Sequence, residues 1–326
     1  MPNDLSTSPF QSILAPLMER FLGEKRACGY KYCEESRILR HLDDLLCKEC
    51  LRSAELPRPI TKRWLSKRPH ESRSTHQQRI TLVRQFSKFL CRLGYPAYVP
   101  DSTLAPRGGS TFVPRILTHE EVRKLLHAVD HLAPTARSSL RHLVMPEILR
   151  LLYGCGFRVG EVLNLRVEDV DLKQGILTVR QGKFRKDRLV PPTPTLVNRL
   201  RKYSARLGSR PAHAVFFPAP NGGSYSLRGI YGLFRKLLLR CGIPHGGRGK
   251  GPRVHDLRHT FAVHTLLRWY REGVDPNVKL HILATYLGHE NISGTQRYLR
   301  LTAEFFPEII RRVDMAFGDV IPRREP

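Results

Sequence analysis

Apolar and charged positions alternate at helical spacing through the first third of the chain. Between residues 11 and 51 the apolar positions recur every three or four residues, and a glycine-containing break at 27–30 divides them. This spacing places apolar side chains on one face of a helix, so it predicts two helices here and a third from about 72 to 93. The apolar positions are Ile13, Leu14, Leu17, Met18, Phe21, Leu22, Ile38, Leu39, Leu42, Leu45, Leu46, Ile80, Val83, Phe86, Phe89 and Leu90.

Proline and glycine interrupt this pattern from residue 94 to residue 115. Their density ends helices and favours an extended tether. A chain of this length also suits two domains better than one. We therefore predict a helical N-terminal domain over 10–105, a linker over 106–115 and a second domain over 116–326.

The second domain begins with a helix signal and contains one hairpin signal. Thr118 and Glu121 have the spacing of a capping box, and residues 146–165 have helical spacing around a glycine-rich interruption. Two short β-type runs, 176–180 and 188–190, flank a basic turn. The predicted fold class is mainly α with a small antiparallel β-sheet.

The charge changes this picture of an ordinary globular protein. The 326 residues include 55 Lys and Arg against 29 Asp and Glu, a formal net charge of +26. Such an excess favours a polyanionic partner, because a basic surface attracts phosphate over a long range. The sequence has neither an apolar run of about 18 residues nor a signal-peptide pattern. We expect a soluble intracellular protein without membrane association.

Seven cysteines form an odd set, which favours reduced thiols. Cys28, Cys33, Cys47 and Cys50 have a spacing that a zinc site could use. The same segment already has the spacing of an amphipathic helix, however, so we interpret these cysteines as small, half-buried core residues. No metal site is predicted.

Basic residues are densest just before the predicted linker. Ten Lys or Arg and one acid, Glu71, lie between Arg58 and Arg92. A charge run is often only a solvated face, but ten to one favours phosphate contacts. A basic, glycine-rich loop at 246–253 favours a further DNA backbone contact. The candidate DNA contacts are Lys62, Arg63, Lys67, Arg68, Arg73, Arg79, Arg84, Lys88, Arg248, Lys250 and Arg253.

Three motifs carry side chains suited to cleaving a phosphodiester. They are 154–165 (GCGFRVGEVLNL), 255–262 (HDLRHTFA) and 287–298 (LGHENISGTQRY). A tyrosine oxygen can act as the nucleophile, and arginines fit the negative charge of a pentavalent phosphate. Histidine can donate or accept a proton near neutrality.

The segment 255–259 is also similar to the His-Glu-x-x-His helix of zinc proteases. Asp256 is one methylene shorter than the glutamate base, Arg258 would place a fixed charge beside the metal, and no third ligand is evident. This alternative is weak. His259 is interpreted as a structural residue, and no cofactor is predicted.

The three motifs, in this order and at about these spacings, resemble the signature boxes of the tyrosine recombinases, the phage integrase family. The resemblance covers about 112–300, and the N-terminal helices resemble the family's core-binding domain more loosely. It implies a helical, SAM-like core-binding domain followed by a mixed α/β catalytic domain. It also implies a reaction that needs neither ATP nor metal.

The resemblance implies a role for each residue of the site. Tyr298 would attack the scissile phosphate and stay joined to a 3′-phosphate, which frees a 5′-hydroxyl. Arg158 and Arg258 would hold the phosphate. His255 would accept the tyrosine proton or donate to the phosphate, and His289 would contact the phosphate.

Two further assignments leave alternatives open. Lys183 resembles the lysine that protonates the leaving 5′-oxygen, but Gly-Lys-Phe replaces the family's usual Gly-Lys-Gly and Lys186 is close enough to compete. Glu161 resembles a carboxylate that orients the cluster. An ordinary helix-surface glutamate is the alternative.

The resemblance implies a site-specific recombinase that serves a mobile element. Two domains would close around duplex DNA, and four protomers would exchange strands through a Holliday junction. The expected partners are double-stranded DNA with an inverted-repeat site, further copies of the chain and other recombinases of the same element. Apolar positions over 305–317 predict a C-terminal helix, docked either on a neighbouring protomer or within the chain.

Two other functions remain open. A type IB topoisomerase-like enzyme would use similar chemistry to relax supercoils, although the spacing from His289 to Tyr298 favours a recombinase. A non-catalytic DNA-binding protein on a degenerate integrase fold is the second, and the six candidate catalytic residues argue against it.

Overall fold

Two units of the chain, Met1–Phe112 and Val113–Pro326, each have their own hydrophobic core in the computed structural model. The structure describes residues 9–105, 113–136, 138–180, 187–247, 251–289, 291–299 and 314–315. Most of the predicted linker lies outside these residues, so its role as a tether stays a prediction.

The first unit consists of four α-helices and one 3₁₀ turn among its described residues. The three predicted helices are confirmed, and a short helix that the sequence pattern missed lies between the second and the third. The missed helix buries only three side chains in eight residues, too few to show a period. The elements are α1 (Ala15–Ala27), α2 (Cys33–Lys48), α3 (Arg58–Leu65), α4 (Arg73–Arg92) and η1 (Ser102–Leu104).

Local signals explain where these helices begin and end. Proline stands in the first turn of α1 and of α3, where its missing N–H is not needed. Ser72 caps α4 by accepting a hydrogen bond from the backbone N–H of Thr75 at 3.0 Å. Ile13 precedes α1 and is exposed, unlike most of the predicted apolar face, which packs into the core.

The first unit buries one of the candidate DNA contacts. Arg79 is 2% exposed, and its Nη1 donates to both carboxylate oxygens of Glu71, at 2.8 and 2.9 Å. Its guanidinium also lies 4.4 Å from the centre of the Trp64 ring. Burial alone would raise the pKa of Glu71, but the hydrogen bonds from Arg79 lower it overall. The assignment of Arg79 as a direct phosphate contact is therefore wrong, because the guanidinium neutralises the single acid of the basic run inside the domain.

The second unit is mainly helical around a small sheet, and this confirms the predicted fold class. Helices α8 and α9 were not predicted. The elements are α5 (His119–Asp130), α6 (Arg141–Gly154), α7 (Val159–Asn164), η2 (Val167–Asp169), β1 (Val170–Asp171), β2 (Ile176–Val179), β3 (Arg188–Val190), α8 (Pro194–Leu207), α9 (Leu227–Arg240), α10 (Asp256–Arg271), α11 (Pro276–Leu287) and α12 (Ser293–Leu299).

Two predicted local features of this unit are confirmed. The capping box is present, since Thr118 Oγ1 accepts from the Glu121 N–H at 3.1 Å and Glu121 Oε2 accepts from the Thr118 N–H at 2.9 Å. β2 and β3 form the predicted antiparallel hairpin, with Leu177 opposite Val190. β1 joins β2 on its other side, giving the strand order β1-β2-β3.

Each of the three motifs contains a buried apolar residue that packs into the core next to a candidate catalytic residue. Phe157, Leu257 and Leu287 are at most 2% exposed, and each is within two positions of a candidate catalytic residue. The side chain of Thr260 on α10 also accepts a hydrogen bond from the Leu117 N–H, just before α5, at 3.1 Å. The N-terminal part of α10 is thereby tied to the residue that precedes the capping box of α5. Within the described part of the chain, no helix has both the length and the apolar character needed to cross a membrane.

Candidate active site

Arg158 lies at the N-terminus of α7, where the backbone turns from an extended residue into the helix. Its own N–H donates to Glu161 Oε2 at 2.9 Å, and its Nη1 donates to Glu161 Oε1 at 2.7 Å. Its Nη2 donates to the carbonyl of Gly288 at 3.1 Å. The first motif is therefore folded against the segment that precedes His289. The Arg158 side chain keeps 24% exposure, which leaves it open to an anion.

A second arginine holds the same carboxylate. Arg188, the first residue of β3, donates from Nη1 and Nη2 to the two oxygens of Glu161 at 2.9 and 2.7 Å. Its Nε donates to the carbonyl of Tyr286 at 3.0 Å. Gly288 has φ +67°, and a Cβ there would approach the Arg188 side chain to 3.0 Å. Arg188 thus links the hairpin, the first motif and the end of α11.

Glu161 is ionised at every working pH in this arrangement. Burial would raise its pKa, but the hydrogen bonds and charge of Arg188, with those of Arg158, lower the pKa to about 2. Glu161 is therefore not an ordinary helix-surface residue. Its side chain is 8% exposed and orients two guanidinium groups at once.

Arg258 is the most deeply buried of the three arginines, at 1% exposure. Nη1 donates to the carbonyl of Gly156 at 2.6 Å, and Nη2 donates to the carbonyl of Leu287 at 2.7 Å. Gly156 has φ +61°, and a Cβ there would lie 2.6 Å from the Phe261 ring. The glycine-rich motif is thus required for α6 to approach α10 and for its carbonyl to receive Arg258. Burial and the charge of Arg158 lower the pKa of Arg258 to about 10, so it stays positive.

The two candidate histidines are neutral at physiological pH. Burial, followed by the charges of Arg258 and Arg158, lowers the pKa of His255 to about 4. The same causes lower the pKa of His289 to about 4. His289 Nδ1 lies 2.7 Å from Thr295 Oγ1, which ties the end of α11 to α12. A neutral imidazole can still donate an N–H to a phosphate oxygen.

Tyr298 on α12 is 3% exposed and packs against α10 and α11. Its hydroxyl lies 3.1 Å from His259 Nδ1. Its ring is stacked on that of His289, with 6.0 Å between centroids. The predicted nucleophile therefore lies in the same site as the histidines of the second and third motifs.

The structure brings five of the six predicted catalytic residues into one site and adds two that the sequence reasoning missed. Arg188 gave a signal only as a charged residue that begins an apolar β-run. His259 was interpreted as structural, yet it contacts the Tyr298 hydroxyl. Lys183 and its competitor Lys186 lie outside the described residues, so the choice of general acid stays a prediction.

The remaining DNA-contact candidates fall into three groups. Arg248 and Lys250 lie outside the described residues. Arg84 is half-buried and donates to the carbonyl of Pro100, and Arg253 pairs with Asp256 at 3.3 Å. The exposed ones remain predictions: Lys62, Arg63, Lys67, Arg68, Arg73 and Lys88.

Comparisons with known proteins agree with this geometry. The phage integrase family model matches residues 115–304, more than half of the chain and the whole of the site. The chain belongs to the phage integrase family. As a member of this family it is a tyrosine recombinase, an enzyme that breaks and rejoins DNA strands. This confirms the predicted family and enzyme class.

Relatives in the family match at different extents. A putative integrase/recombinase of Sinorhizobium fredii, y4rB, is 30% identical over 93% of this chain and 97% of its own length. The tyrosine recombinase XerA of Pyrococcus furiosus is 34% identical over 62% of this chain and 63% of its own length. The first match spans both units.

Solved structures show the same fold at low identity. A lambda integrase dimer bound to a COC′ core site has a TM-score of 0.59 and 17% identity, over 89% of this chain and 78% of that one. The Tn1549 transposon integrase in complex with a circular intermediate DNA has a TM-score of 0.58 and 17% identity, over 86% and 94%. The matches to these integrase folds cover 86–89% of the chain.

Proposed function

We propose that this phage integrase family member is a site-specific recombinase that cleaves DNA through a 3′-phosphotyrosine intermediate on Tyr298. One observation carries the proposal. The Tyr298 hydroxyl, two neutral imidazoles and the Arg158–Arg258 pair come together from four separate elements of the chain. A nucleophile beside guanidinium groups that carry a net positive charge is what attack on a phosphodiester requires.

In the proposed cleavage step, Tyr298 transfers its hydroxyl proton to a histidine of the site, its oxygen bonds to phosphorus, and the bond from phosphorus to the 5′-oxygen breaks. The 5′-oxygen takes a proton from a general acid, for which Lys183 is the candidate. Rejoining reverses each transfer, so the energy of the phosphodiester is kept in the tyrosine ester.

The arginines and the imidazoles would share the phosphate. Arg158 and Arg258 offer charged N–H donors for the non-bridging oxygens, which carry more charge in the transition state than in the substrate. His255 and His289 would donate as neutral groups. Glu161, itself held by Arg188, keeps Arg158 in position.

The biological role that we propose is the movement or integration of a mobile element. Support comes from the relative named an integrase/recombinase, which matches over nearly its whole length, and from the resemblance of fold to a transposon integrase. Four protomers would join two inverted-repeat sites and exchange strands through a Holliday junction.

The test uses duplexes taken from the DNA that flanks the gene. Each carries a nick that lets the cleaved fragment dissociate, so that covalent protein–DNA complexes accumulate. Wild-type protein should form a complex that survives denaturation, and Tyr298→Phe should form none while binding the same duplex. If no duplex yields a complex that depends on Tyr298, the proposed mechanism is wrong.

A second assay separates a recombinase from a topoisomerase-like enzyme. A plasmid with two copies of the cleaved site should yield recombinant products. Relaxation of supercoiled plasmid without any recombinant product would contradict the recombinase and favour the topoisomerase-like alternative.

A further inference from the structure

We propose that His259 is the catalytic residue that accepts the proton of Tyr298 when the tyrosine attacks the phosphate. This inference rests on the proposed function, because it concerns the activation of the same nucleophile. Family resemblance offers this role, as one of two alternatives, to His255, which is the N-cap residue of α10 and lies one helical turn before His259. The evidence is the contact geometry around Tyr298.

The Tyr298 hydroxyl contacts His259 directly. Its Nδ1 lies 3.1 Å from the Tyr298 oxygen, which is hydrogen-bonding distance, and the two ring centroids are 5.5 Å apart. α10 is a 16-residue helix with a largely buried face, so it holds His259 on a rigid element. α12, which carries Tyr298, packs against that same helix and contributes to one apolar cluster with it.

The burial of Tyr298 limits which groups can accept its hydroxyl proton. Tyr298 is 3% exposed and lies in a cluster with Ala262, Val263 and Leu266 of α10. Bulk water is therefore a poor acceptor for its proton, and a side chain must take over that role. A positioned imidazole is the side chain most often used for such a transfer.

His255 is placed for a different task. Its ring meets that of His259 edge-on at 4.8 Å, and it lies within the field of Arg258, Arg158 and Arg253. Burial and these three charges lower the pKa of His255, which weakens it as a proton acceptor. It stays well suited to donate a hydrogen bond to the phosphate. We thus assign proton acceptance to His259 and the hydrogen bond to the phosphate to His255.

The step requires one tautomer of His259. With the proton on Nε2, Nδ1 carries the lone pair that accepts the hydrogen bond of the tyrosine hydroxyl. On attack the proton moves from the Tyr298 oxygen to His259 Nδ1, the oxygen–phosphorus bond forms, and the bond to the 5′-oxygen breaks. When the strands rejoin, His259 returns the proton to the departing Tyr298 oxygen.

The decisive variant is His259→Asn. The amide oxygen of asparagine can lie close to the position of Nδ1 and accept a hydrogen bond, but it is not basic. The variant therefore separates positioning from proton transfer. His264→Asn is the matched control, because His264 is a buried histidine of the same helix that contacts Tyr153 rather than Tyr298. Thermal unfolding of each full-length variant checks that it folds, and His259→Gln replaces His259→Asn if that variant does not.

The readout is the rate of covalent complex formation on the nicked flanking-DNA duplexes, with tyrosine or 3-fluorotyrosine at position 298. Fluorine lowers the pKa of the phenol, so the fluorinated nucleophile depends less on a base. We expect His259→Asn to slow cleavage on the order of 10²- to 10⁴-fold. Fluorotyrosine should recover much of that loss and change the wild type little. A residue that only packs would give a loss that fluorination does not alter.

Three outcomes overturn the inference. His259→Asn cleaving at the wild-type rate would show that no proton goes to His259. A loss of the same size with tyrosine and fluorotyrosine would assign His259 to packing. Faster cleavage would mean that His259 holds the tyrosine in an inactive position. If the wild type itself formed no covalent complex, the proposed function would fail together with the inference.

Discussion

Both units of the chain bury an arginine against a glutamate, and they differ in how much charge remains. In the first unit, Arg79 and Glu71 pair one to one, so the net formal charge is zero. In the second unit, Arg158 and Arg188 share the single carboxylate of Glu161. Arg258 adds a third guanidinium, whose hydrogen bonds within the described residues go to backbone carbonyls.

Three guanidinium groups against one carboxylate leave a formal charge of +2 in the second unit. Buried charge without a partner is costly, so a site that keeps it is ready for an anion. The carbonyls of Gly156, Leu287 and Gly288 hold the arginines without neutralising them. Burial of an arginine alone therefore does not mark a functional residue. An excess of guanidinium groups over carboxylates does.

The largest expected effect comes from removing the unneutralised charge. Arg258→Gln keeps a donor for one of the two carbonyls but loses the positive charge. We expect cleavage of the nicked duplex to slow by about 10²- to 10³-fold or more, the usual consequence of losing one donor to a developing anion. Single-turnover formation of the covalent complex measures this. If the variant cleaved within a few-fold of wild type, Arg258 would be a structural residue like Arg79, and its proposed role at the phosphate would be wrong.

The neutralised pair should behave in the opposite way. Arg79→Ala leaves Glu71 buried without its partner, and we expect the first unit to lose about 3–5 kcal/mol of stability. Replacing both, as Arg79→Met with Glu71→Leu, should restore most of that loss. Trp64 contacts Arg79, so its fluorescence in a Trp269→Phe background reports urea unfolding of this unit. Equal losses of stability in the single and double variants would show that the cost does not come from leaving Glu71 without its partner.

Three histidines of the second unit have pKa values that are lowered by burial and by nearby positive or titratable groups. Burial and neighbouring charge lower the pKa of His255 and of His289 to about 4, and burial with His119 lowers that of His264 to about 4. Because the unfolded pKa is near 6.5, unfolding takes up protons between pH 6.5 and 4, and stability falls as the pH falls through that window. Glu161 does not interfere, because its stabilising effect is lost only below its unfolded pKa of about 4.5.

We therefore expect the second unit to be less stable at pH 5.5 than at pH 7.5. The loss should be up to about 1 kcal/mol per histidine, since partial exposure screens the effect. Trp269 fluorescence in a Trp64→Phe background follows unfolding of this unit. His264→Asn should remove one proton from the pH dependence. A stability that rises on acidification would have the wrong sign and would contradict neutral histidines in the folded state.

The sequence predicted most of this architecture because its signals are local. Thr118 and Glu121 are three residues apart, and the hairpin strands flank a single turn. Each feature could therefore be predicted from neighbouring residues without knowledge of the fold. The motif residues were found by resemblance, which fixed the positions of Arg158, Arg258 and Tyr298 in one site. Secondary structure was missed at the short helix α3 and also at α8 and α9, which have 14 residues each.

What could not be predicted depends on contacts between distant segments. Arg188 meets Glu161 across 27 positions, and His259 meets Tyr298 across 39. Arg79 was assigned to DNA because charge runs do not show which member faces inward. Its place on the buried face of α4, next to Ile80, and the single acid Glu71 nearby were the signals that it pairs internally.

The smallest expected effect concerns the exposed members of the basic run. Lys67 is exposed in the first unit, so Lys67→Ala should leave stability unchanged and weaken DNA binding. If Lys67 neutralises one phosphate, the slope of log affinity against log salt should fall by about 1. Lys31→Ala is the matched control, an exposed lysine of the same unit outside the candidate set. Fluorescence anisotropy with a labelled flanking-DNA duplex over a range of salt concentrations measures both slopes. Equal slopes for Lys67→Ala and wild type would remove Lys67 from the DNA surface, while an equal fall in both variants would mean that overall charge, rather than a local contact, sets the affinity.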